Sequence, residues 1–202
     1  MVSGRSRDPS TAPHPIAVKI VISGGFGVGK TTFVGAISEI EPLVTEAEMT
    51  EKSIGIDDTS AVSGKTTTTV ALDFGRITLD DALLLYLFGT PGQDRFAFLW
   101  DDLVDGALGA IVLVDTRRIE DSFPAIDYFE EHEIPFIIGV NRFNGAQRFV
   151  LDEVRDALGV GIDVPLIECD ARERESVKSV LVALTEEVLI RRTGRERAGS
   201  TW

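Results

Sequence analysis

The stretch that most narrows the folds open to this chain is "GGFGVGKTT" at residues 24–32, set between an apolar run, "IAVKIVI" at 16–22, and a segment of helical spacing over 31–40. Strand, glycine-rich loop and helix in that order fill every position of G-x-x-x-x-G-K-[ST], with Gly24, Gly29, Lys30 and Thr31 at the fixed places. The glycines let the backbone curl so that N–H groups from Gly27 to Thr32 point inward, and the helix that follows aims its positive end at the same spot. Such a loop cradles an anion. Gly25, Gly27, Val28, Gly29, Lys30, Thr31 and Thr32 are therefore the expected phosphate contacts. Lys30 would reach the β- and γ-phosphates and the Thr31 hydroxyl would ligate Mg²⁺.

The rest of the chain follows the βα alternation that such a loop requires. Apolar runs recur at 69–74, 82–88, 108–114, 135–140 and 164–168, and helical spacing recurs at 122–132, 147–158 and 173–192. Runs without polar alternation imply strands covered on both faces, so the expected fold is α/β, a P-loop NTPase. It has a mostly parallel six-stranded sheet with helices on both faces. One strand breaks the rule. Only "GRITLDD" separates the runs at 69–74 and 82–88, too little for a crossover helix, so that pair is expected as an antiparallel hairpin at the sheet's edge. Residues 42–65 carry no sustained period and read as a long irregular connection.

At 202 residues and 44% apolar the chain suffices for one core, expected at 16–192, with tails at 1–15 and 193–202. With 20 basic and 33 acidic side chains, the net charge of −13 disfavours a nucleic-acid partner. The single cysteine, Cys169, excludes an intrachain disulfide and reads as a packed core thiol. No window is apolar for the roughly 18 residues that a membrane span needs.

Three further motifs carry a resemblance. "TTTTVALDFG" places Thr69 four residues before Asp73 and Phe74, "TPGQ" ends at Gln93, and "GVNRFNG" and "CDAR" follow the later strands. With the phosphate loop, these resemble the Ras-like small GTPases over about residues 16–192. The likeness is greatest to the bacterial branch, the gliding-motility polarity GTPases and the actinobacterial conservon GTPases. The resemblance implies a guanine-nucleotide switch, with GTP or GDP and Mg²⁺ bound. The backbone of Thr69 would meet the γ-phosphate and its hydroxyl would join Thr31 on the metal, with Thr68 the alternative register. Gly92 would donate to the γ-phosphate, and Gln93 would orient the attacking water. "TPGQ" also suits a type II turn, which is compatible with that role. The helix begun in "DRFAFLWDDLVDGA" is read either as core or as a nucleotide-controlled contact surface.

For the base, the resemblance points to Asn141, Arg142 in place of a lysine, Asn144 in place of an aspartate, the Ala171 N–H facing guanine O6, and Arg172 flanking the ring. An amide at 144 offers one acceptor where a carboxylate accepts from both guanine N1–H and N2–H₂, a mismatch of about 1–3 kcal/mol. Xanthine suits that amide better, and adenine conflicts with Ala171. Guanine ranks first on the other elements.

The second-switch loop of most Ras-like proteins opens with a metal-site aspartate, and this chain has Gly89 there. Two residues are placed to compensate at one remove, Thr90 and Asp73. No arginine lies between Ile40 and Thr69 and Arg95 is the one nearby candidate, so intrinsic turnover is expected to be slow; Phe26, where the family has a small glycine, would obstruct an arginine inserted by a partner. The resemblance implies a roadblock-type regulatory protein and a membrane sensor kinase complex as partners, with a cytoplasmic location and recruitment to the membrane by those partners. The rival readings are a nucleotide-bound scaffold without turnover and a P-loop protein preferring another base.

Overall fold

The computed structural model describes residues 15–41, 43–50, 67–80, 82–92 and 99–199. Its elements in chain order are β1 (Ile16–Ser23), α1 (Lys30–Ile37), β2 (Leu43–Thr50), β3 (Thr67–Asp80), β4 (Leu83–Gly89), α2 (Trp100–Val104), β5 (Ala107–Val114), α3 (Phe123–Glu131), β6 (Phe136–Asn141), α4 (Leu151–Leu158), β7 (Leu166–Cys169) and α5 (Arg174–Gly199). One sheet of seven strands runs β2-β3-β4-β1-β5-β6-β7. From β4 to β7 every neighbouring pair is parallel, while β3 is antiparallel to β4 and β2 to β3.

The α/β class, the parallel centre and the antiparallel 69–88 hairpin match the expectation. The edge does not. Within the stretch read as irregular, Leu43–Thr50 forms a strand on β3, pairing Glu48 with Thr69, so the sheet gains a seventh strand and β3 lies inside it. "LVTEAEMT" hides this because glutamate and alanine weaken its strand signal, and backbone pairing to β3 overrides propensity. Residues 51–65 lie outside the described set. β3 is also longer than expected, since Gly75 does not interrupt it. A Cβ there would stand 2.6 Å from Val34 Cγ1 and 3.1 Å from Ser38 Cβ, so the glycine is the place where α1 crosses the sheet closely.

Period-two alternation sorts the central strands onto two cores. Ile20, Ile22, Leu87, Ile111, Leu113 and Ile137 pack under α1 and α5, with Phe33, Val34, Val177, Val180 and Leu184. On the opposite face Val21, Val112, Val114 and Ile138 meet Ala125, Ile126 and Phe129 of α3, and Val154 and Leu158 of α4. The sheet is thus sandwiched between helices, and the carboxyl ends of β1, β4, β5, β6 and β7 share one rim. In open α/β sheets the ligand crevice lies along that rim.

Cys169 is buried and its thiol is pushed up to about 11 by burial, as a packed core thiol should be. α5 continues as helix through 193–199, where a tail was expected. Of the tail at 1–15, all but residue 15 falls outside the described residues. Among the described residues no helix is long and apolar enough to cross a membrane.

Candidate functional site

The rim opens at the end of β1. Gly24, Gly27 and Gly29 adopt φ of 127°, 73° and 105°, all in the half of backbone space that L side chains avoid. Gly24 has no alternative, because a Cβ would lie 2.3 Å from the Leu113 carbonyl oxygen on β5. The loop wraps around the Lys30 ammonium, which donates to the carbonyls of Gly24 and Gly25, each at 2.8 Å. Lys30 is only 7% exposed, and burial lowers its pKa to about 8 against the opposing pull of the Asp73 carboxylate. A poorly hydrated cation at the mouth of a loop of N–H groups is built to receive an anion. Gly92 approaches from the second loop so closely that a Cβ would stand 2.7 Å from Lys30 Nζ and 2.8 Å from Phe26 Cα.

Beside Lys30 the structure distinguishes the two substitutes for the carboxylate missing at 89. Thr90 is turned into the core, where its hydroxyl pairs with that of Ser23 at 3.0 Å and its N–H donates to Ile22 at 2.8 Å. Asp73 faces the loop instead. Thr31 donates its hydroxyl proton to Asp73 Oδ2 at 2.8 Å. The register pairs Asp73 directly with Gly89 across β3 and β4, and a Cβ on residue 89 would stand 2.9 Å from Asp73 Cβ and 3.0 Å from its Oδ2. Gly89 is therefore the space that Asp73 fills. A hydroxyl and a carboxylate at the start of α1 are hard oxygen donors of the kind Mg²⁺ takes, and that ion usually completes its shell with phosphate oxygens and water. Among the described residues no cluster of three or more His, Cys, Asp or Glu side chains forms a cage of its own.

The residues expected to read a base gather at the ends of β6 and β7. Asn141 is buried and doubly engaged, donating from Nδ2 to the Val28 carbonyl at 2.8 Å and accepting the Ala171 N–H at 3.0 Å. It ties the phosphate loop to the last loop, and it stands where a Cβ on Gly29 would be, 2.8 Å from its Nδ2. The Ala171 N–H, expected to face a guanine oxygen, is given to Asn141. Arg142 is paired with Glu168, and Arg172 grips Asp170 through Nε at 2.8 Å and Nη2 at 2.6 Å, holding that carboxyl down at about 2. Asn144 is exposed. Thr69 lies in β3 opposite Glu48, while Gln93, Arg95, Phe96 and Phe98 fall outside the described residues. Of the following helix, Trp100 is core, edge-on to Tyr128 of α3 at 5.2 Å, and the Tyr128 hydroxyl donates to Asp101 at 2.7 Å.

Sequence reasoning missed the segment "DTRRIEDS" after β5. Asp115, 4% exposed, accepts from Arg117 Nε at 2.9 Å and Nη2 at 2.7 Å, and this pairing lowers its pKa. The Arg117 guanidinium lies 3.9 Å over the ring of Phe143 in the β6 loop, and Arg118 donates to the carbonyl of Phe26 at 2.8 Å. No motif flags these residues. Two arginines beside an aspartate at the end of a buried strand were the available signal.

A family model described as "Conserved hypothetical ATP binding protein" matches residues 22–193, from the end of β1 into the last turns of α5. The chain belongs to this family. The uncharacterized protein MJ1339 of Methanocaldococcus jannaschii is 31% identical to this chain over 127 residues, which are 62% of this chain and 70% of that one. The human Ras-related protein Rab-7b is 25% identical over 186 residues, covering 87% of this chain and 84% of its own. Among solved structures, the FeoB G-domain from Methanococcus jannaschii superposes with a TM-score of 0.56 at 14% identity, over 85% of this chain and 97% of the other. The fold is thus that of a G domain, and the chain's relatives include Ras-related proteins.

Proposed function

We propose that the chain is a guanine-nucleotide-binding molecular switch of the bacterial Ras-like branch, with slow Mg²⁺-dependent GTP hydrolysis. The observation that carries this reading is the triad of Lys30, Thr31 and Asp73 at the glycine loop, because it joins a phosphate cation to an oxygen pair suited to Mg²⁺ at one helix N-terminus. Thr31 and Thr69 would hold the metal, with Asp73 restoring at one remove the carboxylate that Gly89 lacks. When bound, the ion would neutralise charge on the phosphates. Lys30 would leave the carbonyls of Gly24 and Gly25 for the β- and γ-phosphates, Gly92 would donate its N–H to the γ-phosphate, and Gln93 would hold the attacking water. Hydrolysis would be slow because Arg95 alone stands near the switches in sequence, and a roadblock-type protein would raise it by about 10³–10⁵-fold. A membrane-bound sensor kinase complex is the proposed site of action, reached from the cytoplasm.

A second reading, an adenine or xanthine preference, is favoured by two observations: the amide of Asn144 and the description of the family as ATP-binding. Calorimetric titration with GTP, GDP, XTP and ATP in Mg²⁺ decides between them. GTP and GDP are expected to bind more tightly than ATP, because the adenine conflict falls at the buried Ala171 and the guanine mismatch at the exposed Asn144. ATP binding more tightly than GTP would replace the guanine reading. Absence of phosphate release in single turnover, with a roadblock protein present, would leave a scaffold in place of the enzyme.

A further inference from the structure

Outside the site just described, the polar cluster on the far side of the phosphate loop has no role assigned. Arg118 is its working end. Its Nη2 donates to the Phe26 carbonyl oxygen at 2.8 Å, Nη1 lies 3.5 Å from Asp121 Oδ2, and Nη2 lies 3.9 Å from the buried Asp115 Oδ2. Asp115 is also held bidentately by Arg117, so two arginines face two carboxylates and the cluster is neutral. The segment packs tightly on the loop at Gly25, where a Cβ would fall 2.5 Å from Asp121 Cβ, and a Cβ on Gly27 would be in ordinary contact with Arg118 Nη2 at 3.6 Å.

The acceptor makes this contact more than a brace. The Phe26 carbonyl and the Gly27 N–H are the two ends of one planar trans peptide, so they point in opposite directions. A guanidinium bonded to the oxygen fixes that plane and draws electron density toward the oxygen, which strengthens the N–H as a donor, since linked hydrogen bonds polarise one another by about 10–30%. The Gly27 N–H is among the groups that such a loop turns toward the phosphates. We propose that Arg118 is a positioning residue for the nucleotide's phosphates, acting through the Phe26–Gly27 peptide from behind the loop and tightening diphosphates and triphosphates alike, whatever the base. This rests on the reading above that the loop binds a nucleotide.

The test compares wild type with Arg118→Lys, Arg118→Met and Asp121→Asn. Dissociation constants for fluorescent GDP and ADP derivatives would be measured with the ³¹P resonances of bound GDP and the melting temperature. Arg118→Met is expected to weaken both nucleotides by about 3–10-fold, the scale of one charge-assisted bond felt at second hand. It should also move the β-phosphorus resonance. Arg118→Lys should recover most of the affinity, and Asp121→Asn, which removes a competing carboxylate from the guanidinium, should match or exceed wild type. That last variant has the opposite sign for a structural brace: a loss of affinity there like that of Arg118→Met would overturn the proposal. So would unchanged affinity with hydrolysis reduced 100-fold or more, because the guanidinium would then be acting on the γ-phosphate itself. Should wild type bind neither probe, the proposed function falls and this inference with it. Wild-type binding that Arg118→Met leaves unaltered removes only the role of Arg118.

Discussion

Asp73→Ala is expected to reduce the gain in nucleotide affinity that Mg²⁺ provides by about 10–100-fold, the range for removing a group that supports a metal site from outside its first ring of ligands. Titration of a fluorescent nucleotide in Mg²⁺ and in EDTA separates the effect, because the EDTA value should hold or improve once a carboxylate no longer faces the phosphates. The Asp73–Gly89 rung allows a stricter test. Gly89→Asp alone should be harmful, since its Cβ would enter within 2.9 Å of Asp73 Cβ and bring a second carboxylate to the same place. The double variant Asp73→Gly with Gly89→Asp moves the carboxylate across one pair of register partners and should regain most of the Mg²⁺ response. If Asp73→Ala leaves that response unchanged, the bond from Thr31 is structural only.

The same rung illustrates what could be read from the sequence and what could not. That Gly89 needed a substitute was legible, and so were both candidates. The choice between them depended on where strand β4 turns Thr90, and that follows from the buried hydroxyl of Ser23 on β1, a neighbour only in the folded sheet. The central strands were legible where uninterrupted apolar runs filled both faces, as at Ile111–Val114, while their order in the sheet was not. β2 was not, because glutamates alternate along it and its stability comes from pairing with β3. Gly75 misled for a related reason: it looked like a strand end, and it serves the close passage of α1. In the site, the glycine loop declared itself because its geometry demands particular residues at particular spacings. Asn141 declared its position but not its bonds, which run to Val28 and Ala171 across the ends of three elements. Arg118 declared nothing. Its contact spans 92 residues of sequence to a backbone carbonyl, and a backbone acceptor leaves no trace in the residue type it belongs to.

Lys30→Met should produce the largest loss of all, a fall in nucleotide affinity of about 10²–10⁴-fold, corresponding to two charge-assisted hydrogen bonds of about 1.5–3 kcal/mol each. A pH series distinguishes the charge from the shape of the side chain. In the free protein burial holds Lys30 near 8, below its ordinary value, so the ammonium is largely charged at pH 7 and largely neutral at pH 9. Phosphates favour the charged form, so the pKa rises on binding and the protein takes up a proton between about 8 and the higher bound value. Affinity should therefore be nearly flat below pH 8 and fall with rising pH above it, by up to tenfold per pH unit. Calorimetry in two buffers of different ionisation enthalpy would register proton uptake at pH 8.5 in wild type. Lys30→Met, which keeps most of the length and none of the charge, should show neither the slope nor that uptake. A wild-type affinity indifferent to pH between 7.5 and 9.5 would mean that Lys30 stays bonded to Gly24 and Gly25 when nucleotide binds, and that the cradle works through its N–H groups alone.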